Sequence, residues 1–210
     1  NDYERWENFG LKSWSYEKVL PYFKKIETWS GGENQYRGSL GPLPVNQSKN
    51  DNPLFKAFIN SASEAGHTVN PDMNGEEQEG FGMFDTTIHE GQRASATKYY
   101  LNPAKKRKNL NIFSNSFVEK IIFEGKKAIG IEVKIKNKVE KVYAEKEVIL
   151  SGGSINSPQL LMLSGVGNSD HLKEKGIDVV SDIKGVGKNL QDHLETYIMQ
   201  ECKTPDTLYT

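Results

Sequence analysis

The sequence predicts a mixed α/β fold, in which part of a doubly wound parallel sheet adjoins an antiparallel β-meander. Apolar and polar residues alternate over residues 129–135, which is typical of a strand with one buried face. The run 148–150 is wholly apolar, as in a parallel strand covered on both faces, and leads directly into Gly152 and Gly153. Ser157 and Pro158 then mark a helix start. Strand, glycine turn and helix form the repeating unit of a doubly wound sheet.

Helix signals dominate the first half of the chain. Ser15 is a candidate N-cap for a helix over residues 15–27, and Pro21 should kink that helix or mark its first turn. Asn52 followed by Pro53 opens a second helix, which Gly66 is placed to end. The apolar stripe of this second helix consists of Phe55, Phe58, Ile59 and Ala62.

Between and after these helices the pattern changes several times. A short extended stretch is expected at 43–46, and the polar, glycine-dotted residues 71–91 predict a long loop or lid. A third helix is expected over about 93–101, ending before Pro103. The meander should comprise 117–123, 129–135 and 139–144, joined by turns at Gly125 and Asn137. A last short helix is expected over 169–175 and should end at Gly176.

Composition limits the classes of function. The chain has 210 residues, 36% of them hydrophobic, and a net charge of −1, so it has no basic excess with which to bind nucleic acid. Its single cysteine excludes an internal disulfide framework. No apolar run approaches the roughly 18 residues that span a bilayer, so any membrane association should be peripheral or should involve residues outside the chain. A start at Asn1 without Met, and a stop after a strand-like run, predict an internal piece of a longer protein.

Several motifs resemble the glucose–methanol–choline (GMC) oxidoreductase family in the family's own order. Residues 152–167, GGSINSPQLLMLSGVG, resemble the second signature of that family. Residues 72–75, 78–82 and 101–104 resemble its middle region, and residues 185–195, GVGKNLQDHLE, resemble a later one. Within the family, residues 191–197 and 201–203 are most similar to the choline-oxidising members. The resemblance covers nearly the whole chain.

The resemblance implies an FAD site at the glycine turn. In the family this turn lies against the adenosine half of FAD, and the position of Val118 faces the adenine. The residues assigned to FAD in this way are Val118, Gly152, Gly153, Ser154, Asn156 and Ser157. By residue pattern alone, the glycine pair could also be an ordinary crossover turn, and most of the meander could be scaffold.

The resemblance also implies a division into domains. Residues 1–92 would belong to a substrate-binding domain or lid, 93–190 to the FAD-binding domain with its meander, and 191–210 to the start of the substrate-domain sheet. The G-x-G-x-x-G phosphate turn is absent, as are the family's C-terminal His-Pro and Asn-Pro elements. No catalytic residue and no metal site is therefore assigned to the chain, which is expected to be inactive by itself.

Glu195 and His193 are the candidate substrate-binding residues. A quaternary ammonium group has no N–H to donate, so its site needs a carboxylate and aromatic walls. Glu195 matches the ammonium-binding glutamate of a choline-oxidising family member, although its context alone also suits an exposed strand glutamate. His193 follows Asp192 and could either fix a loop through hydrogen bonds or contact the flavin region.

The implied activity is FAD-dependent oxidation of choline to betaine aldehyde, on the route to glycine betaine. Electrons would pass to a quinone-type acceptor, or to oxygen in an oxidase, and the protein would be cytoplasmic or peripheral to the inner membrane. Two alternatives remain at this point. One is another GMC alcohol dehydrogenase or oxidase with a neutral substrate, and the other is an inert scaffold fragment.

Overall fold

A computed structural model describes residues 2–48, 51–201 and 203 of the chain. One compact unit is built within residues 1–110, joined by the described residues from 200 onward, and the other comprises Asn111–Met199. The helices are α1 Asp2–Asn8, α2 Tyr16–Ile26, α3 Pro53–Glu64, α4 Asn102–Ala104, α5 Gly153–Leu163 and α6 Ser169–Glu174. The strands are β1 Glu27–Trp29, β2 Leu43–Gln47, β3 Asp85–Thr86, β4 Ile88–His89, β5 Gln92–Arg93, β6 Ser116–Glu124, β7 Lys127–Ile135, β8 Lys138–Tyr143, β9 Val166–Gly167 and β10 Ser181–Asp182.

The predicted first helix is confirmed as α2, but its details differ from the prediction. Ser15 occupies the N-cap position with an extended backbone, yet its side chain accepts no capping hydrogen bond. Pro21 lies inside α2, so it does not mark the first turn. After α2 the chain enters β1 directly, and β1 pairs in parallel with β2, which confirms the extended stretch expected at 43–46.

The second helix, α3, begins and ends where its capping residues predict. The Asn52 side chain accepts a hydrogen bond from the backbone N–H of Leu54 at 2.8 Å, and Pro53 fills the first helical position. Gly66 follows with a φ of +82°, a left-handed conformation that favours glycine. Ala62 is buried, whereas Phe58, expected in the same stripe, is 57% exposed and contacts the ring of Phe81 at 5.5 Å.

The segment after α3 contains more structure than a loop. Its three short strands include the hairpin β4–β5, whose turn places Glu90 and Gly91 at positive φ. The helix expected over 93–101 was wrong at both ends. A π-helical turn, Thr97–Leu101, continues into α4, so the helical segment starts four residues later and passes through Pro103. Pro103 lies at the start of α4, where the π-helical turn gives way to an α-helix.

The predicted meander is confirmed as an antiparallel sheet in the order β6-β7-β8. Positive φ values at Gly125 and Asn137 close its two turns. Ile121 of β6 and Val133 of β7 are buried, whereas every residue of β8 is exposed. The register of β6 against β7 shifts between Val118 and Lys120, which places a bulge beside the candidate adenine position.

The buried parallel strand predicted at 148–150 was wrong for this structure. These residues, all of them described, form no strand, and Ile149 is 76% exposed. An apolar run of this kind becomes a strand only when neighbouring strands satisfy its backbone groups. No described strand pairs with it here.

The helix after the glycine turn also starts earlier than predicted. Gly152, and not Ser157, is the N-cap of α5, so Pro158 lies inside the helix. The Ser157 hydroxyl instead accepts the backbone N–H of Gly152 at 2.9 Å. The short helix α6 is confirmed, with Asn168 as its N-cap and Gly176 at a φ of +70° after its end.

The strand-like segment expected after 190 is not a strand. Residues 191–201 and 203, which are all that the structure describes of this segment, form no strand, and 191–201 are exposed. Cys202 and residues 204–210 lie outside the described part. No helix in the described ranges is both long and apolar enough to cross a membrane.

Candidate functional site

The glycine turn presents backbone atoms at an open surface. Gly152 and Gly153 are exposed, and Gly153 has a φ of +85°. A Cβ atom placed on Gly153 would meet nothing within 4 Å, so the space in front of this turn is empty. The turn therefore allows a ligand to approach the main chain closely, which is the use of glycine at nucleotide sites.

The start of α5 is not closed by a side chain. Gly152 forms no capping hydrogen bond, and the first backbone N–H groups of a helix have no partner within it. Ser154 and Asn156 are exposed in this turn, and Ser157 is half-buried against Gly152. The uncapped first turn of α5, its small polar side chains and the empty space in front of the glycine turn together fit the sugar and polar groups of an adenosine.

Val118 lies on the strand against which this helix packs. It is half-buried in β6, pairs with Val133 of β7, and stands at the bulge. Because α5 contacts β6 directly, the structure joins the elements that carry Val118 and the glycine turn within one compact unit. A bulge changes the direction of backbone groups beside it, as suits a position whose backbone would face a base.

Glu195 and His193 lie on the exposed segment after β10. The hydroxyl of Tyr197 donates a hydrogen bond to the Glu195 carboxylate. This bond, and to a smaller degree desolvation, raises the pKa of the Tyr197 phenol above its ordinary value. The backbone N–H of His193 donates to Asp192 Oδ1 at 2.9 Å, so the Asp-His pair does make a local hydrogen bond. The assignment of both residues to substrate binding stays a prediction.

Tyr197 was missed at the sequence level. Its position two residues after Glu195 was the available signal, because alternate residues of an extended chain point to the same side. A carboxylate beside an aromatic ring is the pair of groups that a quaternary ammonium requires.

The sequence also gave no indication of a buried charge cluster in the first unit. Only 3% of the Arg37 side chain is exposed, and it contacts three carboxylates. Its Nε is 3.1 Å from Glu27 Oε1, its Nη1 2.6 Å from Asp72 Oδ1, and its Nη2 2.9 Å from Asp85 Oδ2. The guanidinium also lies 4.3 Å from the ring centroid of Trp29. We call this group the Arg37 cluster.

The Arg37 cluster is structural and not a metal centre. Burial opposes the charge on the guanidinium, but hydrogen bonds with Glu27 and Asp85 outweigh it, so the pKa of Arg37 is raised above its ordinary value. In the part of the chain that the structure describes, no group of three or more His, Cys, Asp or Glu side chains is placed to hold a metal ion. The cluster joins β1, β3 and the loop after α3 through one cation.

The sequence profile of the family described as GMC oxidoreductase matches residues 1–195. The chain belongs to the GMC oxidoreductase family. This confirms the resemblance that its motifs suggested. The oxygen-dependent choline dehydrogenase of Brucella ovis is 51% identical over 209 residues, which cover 100% of this chain and 38% of that protein. The mitochondrial choline dehydrogenase of Homo sapiens is 51% identical over 100% of this chain and 35% of its own length. The chain thus spans little more than a third of these GMC relatives.

Solved structures agree with the fold class. Pyridoxine 4-oxidase from Mesorbium loti superposes with a TM-score of 0.83 at 32% identity, over 91% of this chain and 38% of its own. An FAD-dependent oxidoreductase from Chaetomium thermophilum gives 0.83 at 33% identity, over 91% and 36%. The mixed α/β class is confirmed, and FAD is the cofactor of the GMC family to which the chain belongs. The predicted domain boundaries stay a prediction.

Proposed function

We propose that the chain is part of an FAD-dependent alcohol dehydrogenase that oxidises choline to betaine aldehyde. The observation that carries this proposal is the 51% identity to choline dehydrogenases over the whole chain. Identity spread over all of the chain, rather than confined to the cofactor motif, supports a shared substrate as well as a shared fold. The alternative within the family is an alcohol dehydrogenase or oxidase with a neutral substrate.

The chain contributes cofactor and substrate contacts. The open turn at Gly152 and Gly153, the start of α5 and the backbone at Val118 would hold the adenosine half of FAD. FAD, when bound, supplies the hydride acceptor for oxidation of the alcohol carbon. The glycine-rich phosphate turn and the catalytic base are assigned to no residue of this chain.

Glu195 would supply the charge that selects choline. Its carboxylate is held by the Tyr197 hydroxyl, and the Tyr197 ring is 77% exposed beside it. A trimethylammonium group attracts a carboxylate by charge and an aromatic face by the cation–π interaction. A neutral alcohol would gain nothing from Glu195, so the contribution of this residue separates the two candidate functions.

The deciding experiment compares choline with its neutral isostere 3,3-dimethylbutanol in a complete enzyme that carries this chain. Glu195→Gln keeps the size of the side chain and removes its charge. We expect kcat/KM for choline to fall by roughly 5- to 150-fold, from about 1–3 kcal/mol for a charge-assisted contact, with the isostere almost unaffected.

Two outcomes would count against this proposal. Equal losses for both alcohols would mean that Glu195 acts through folding or flavin placement. An enzyme that prefers the neutral alcohol before any mutation would favour the alternative function. A matched control is Glu201→Gln on the same segment, which we expect to leave the ratio of the two kcat/KM values unchanged.

A quinone-type electron acceptor and a place in the cytoplasm or peripheral to the inner membrane are part of the same proposal. Oxygen uptake during choline turnover, compared with reduction of a soluble quinone, tests the acceptor. Faster turnover with oxygen than with the quinone would show that oxygen, and not a quinone, is the electron acceptor. Separation of membrane and soluble fractions of the producing cell tests the location.

A further inference from the structure

Ser164, the residue after α5, makes a buried link between two elements of the proposed FAD site. Only 1% of Ser164 is exposed. Its hydroxyl accepts the backbone N–H of Ile121 in β6 at 2.8 Å and donates to the carbonyl of Leu160 at 2.6 Å. One side chain thus joins the last turn of α5 to the strand that carries Val118.

This link matters because the residues of α5 itself are at most half-buried. No residue of α5 itself is buried, and Ile155 near its start is 69% exposed. β6 is an edge strand of the described meander, so Ser164 provides the Ile121 N–H with an acceptor that no described neighbouring strand offers. The orientation of α5 on β6 therefore depends on its C-terminal end.

Gly165, the residue after Ser164, anchors the C-terminal end of α5 to a second segment of the chain. Gly165 has a φ of +87°, and its carbonyl accepts backbone N–H groups from Val180 at 2.8 Å and Ser181 at 3.1 Å. A Cβ on Gly165 would lie 2.4 Å from the Asp178 carbonyl oxygen. The C-terminal end of α5 is thus held between β6 and the segment that leads into β10.

Because α5 is long, a small change in its tilt at Ser164 moves its N-terminal end by a larger distance. Its 11 residues extend for about 16 Å at about 1.5 Å per residue, so a tilt of about 4° at Ser164 displaces Gly153 by about 1 Å. Displacements of this size are enough to weaken contacts that depend on position.

We infer that Ser164 is a positioning residue for the adenosine end of FAD, because it sets the distance between the glycine turn and Val118. It acts through α5 and touches no part of the cofactor itself. The inference rests on the proposed function, in which those two elements hold the adenosine. Its consequence is that Ser164 governs FAD affinity and leaves the chemical step alone.

The test is Ser164→Ala in a complete enzyme that carries this chain, stripped of FAD and then titrated with FAD or ADP. We expect both dissociation constants to rise at least about fivefold, equivalent to about 1 kcal/mol at about 1.4 kcal/mol per decade. With saturating FAD, kcat and the KM for choline should match those of the parent enzyme. ADP carries the adenosine with its two phosphates and lacks the flavin, so a parallel loss of ADP affinity places the effect away from the flavin end.

Two controls separate positioning from general destabilisation. Ser61→Ala in α3 removes a similar serine bond, from its hydroxyl to the Phe58 carbonyl at 2.8 Å, at an exposed site. Leu172→Ala in α6 removes a fully buried side chain and should lower the midpoint of thermal unfolding at least as much as Ser164→Ala. FAD titrations are run at a temperature well below the midpoint of thermal unfolding of every variant. Under these conditions both controls should bind FAD with the affinity of the parent enzyme.

An unchanged FAD dissociation constant for Ser164→Ala, or an equal rise in Leu172→Ala, would overturn the inference. If Ser164→Ala yields no folded protein, Ser164→Cys decides the question, because its sulfur is a weak acceptor. We expect at least about a twofold rise for that variant by the same reasoning, and no rise would overturn the inference. A parent enzyme that binds no FAD would instead refute the proposed function.

Discussion

Replacing Arg37 by Met should destabilise the first unit far more than the loss of a surface ion pair. Met keeps an unbranched stem of similar length and removes every charged hydrogen bond of the Arg37 cluster. Three carboxylates, with only 11–15% of their side chains exposed, would then lie together without a cation. Removing one partner of a buried ion pair leaves an uncompensated buried charge, which strongly destabilises the folded state.

The size of the effect follows from the contacts. Arg37 makes four hydrogen bonds to carboxylate oxygens, at 3.1, 3.3, 2.6 and 2.9 Å. At about 1.5–3 kcal/mol each they would sum to about 6–12 kcal/mol, but such terms are not additive and the freed carboxylates regain some water. We expect a loss of about 3–5 kcal/mol, the range for a broken buried pair. At about 4 °C per kcal/mol for a unit of this size, that lowers the thermal midpoint of the first unit by about 12–20 °C.

Thermal and urea unfolding of the 210-residue chain measure this loss, and Arg5→Met is the matched control. Arg5 pairs with Asp2 at 3.1 Å, but half of each side chain is exposed, so its removal should cost at most about 1 kcal/mol. Similar midpoints for the two variants would refute the assignment of Arg37 as the centre of a buried cluster.

The pH dependence of this contribution follows from the sign of the pKa shift. The folded-state pKa of Arg37 is raised above its ordinary value. Its stabilising contribution is therefore fully present below the pKa that Arg37 has in the unfolded chain, and is lost only as the pH rises through the folded pKa. Between about pH 6 and 9, Arg37 itself should add no slope to a plot of stability against pH.

Two further predictions concern the cofactor and substrate residues. In a complete enzyme, Gly153→Val should lower FAD occupancy, measured as visible flavin absorbance per protein, because it fills the open space and strains a φ of +85° by about 1–3 kcal/mol. The matched control is Gly32→Val, because Gly32 has a φ of +90° and equally open space around it. This control should lose a similar amount of stability and keep its flavin content. An equal loss of flavin in both variants would argue against an FAD site at Gly153. In the isolated chain, Glu195→Gln should move the Tyr197 pKa back toward its ordinary value, since the hydrogen bond to the carboxylate raises it. Ultraviolet titration of tyrosinate in both proteins measures this shift, and identical curves would show that the bond does not form.

The parts of the fold that could be predicted from the sequence are those whose causes lie within a few residues. Asn52 caps α3 through Leu54, two positions away, and Gly66 ends it by its own backbone freedom. The alternation of apolar and polar residues over 129–135 predicted β7, because successive side chains of a strand point to opposite faces of the sheet. The family motifs likewise consist of contiguous residues, so the GMC assignment was predictable without coordinates.

Tertiary structure alone decided where distant residues meet. Arg37 joins carboxylates that are 10, 35 and 48 positions away, and Ser164 reaches a backbone group 43 positions away. The apolar run 148–150 did not form the predicted strand. Its pattern shows only that these side chains can be buried, whereas a strand also requires neighbouring strands with which to pair. Backbone geometry limits each residue's local conformation, whereas contacts between distant segments depend on how the whole chain packs, which no short stretch of sequence contains.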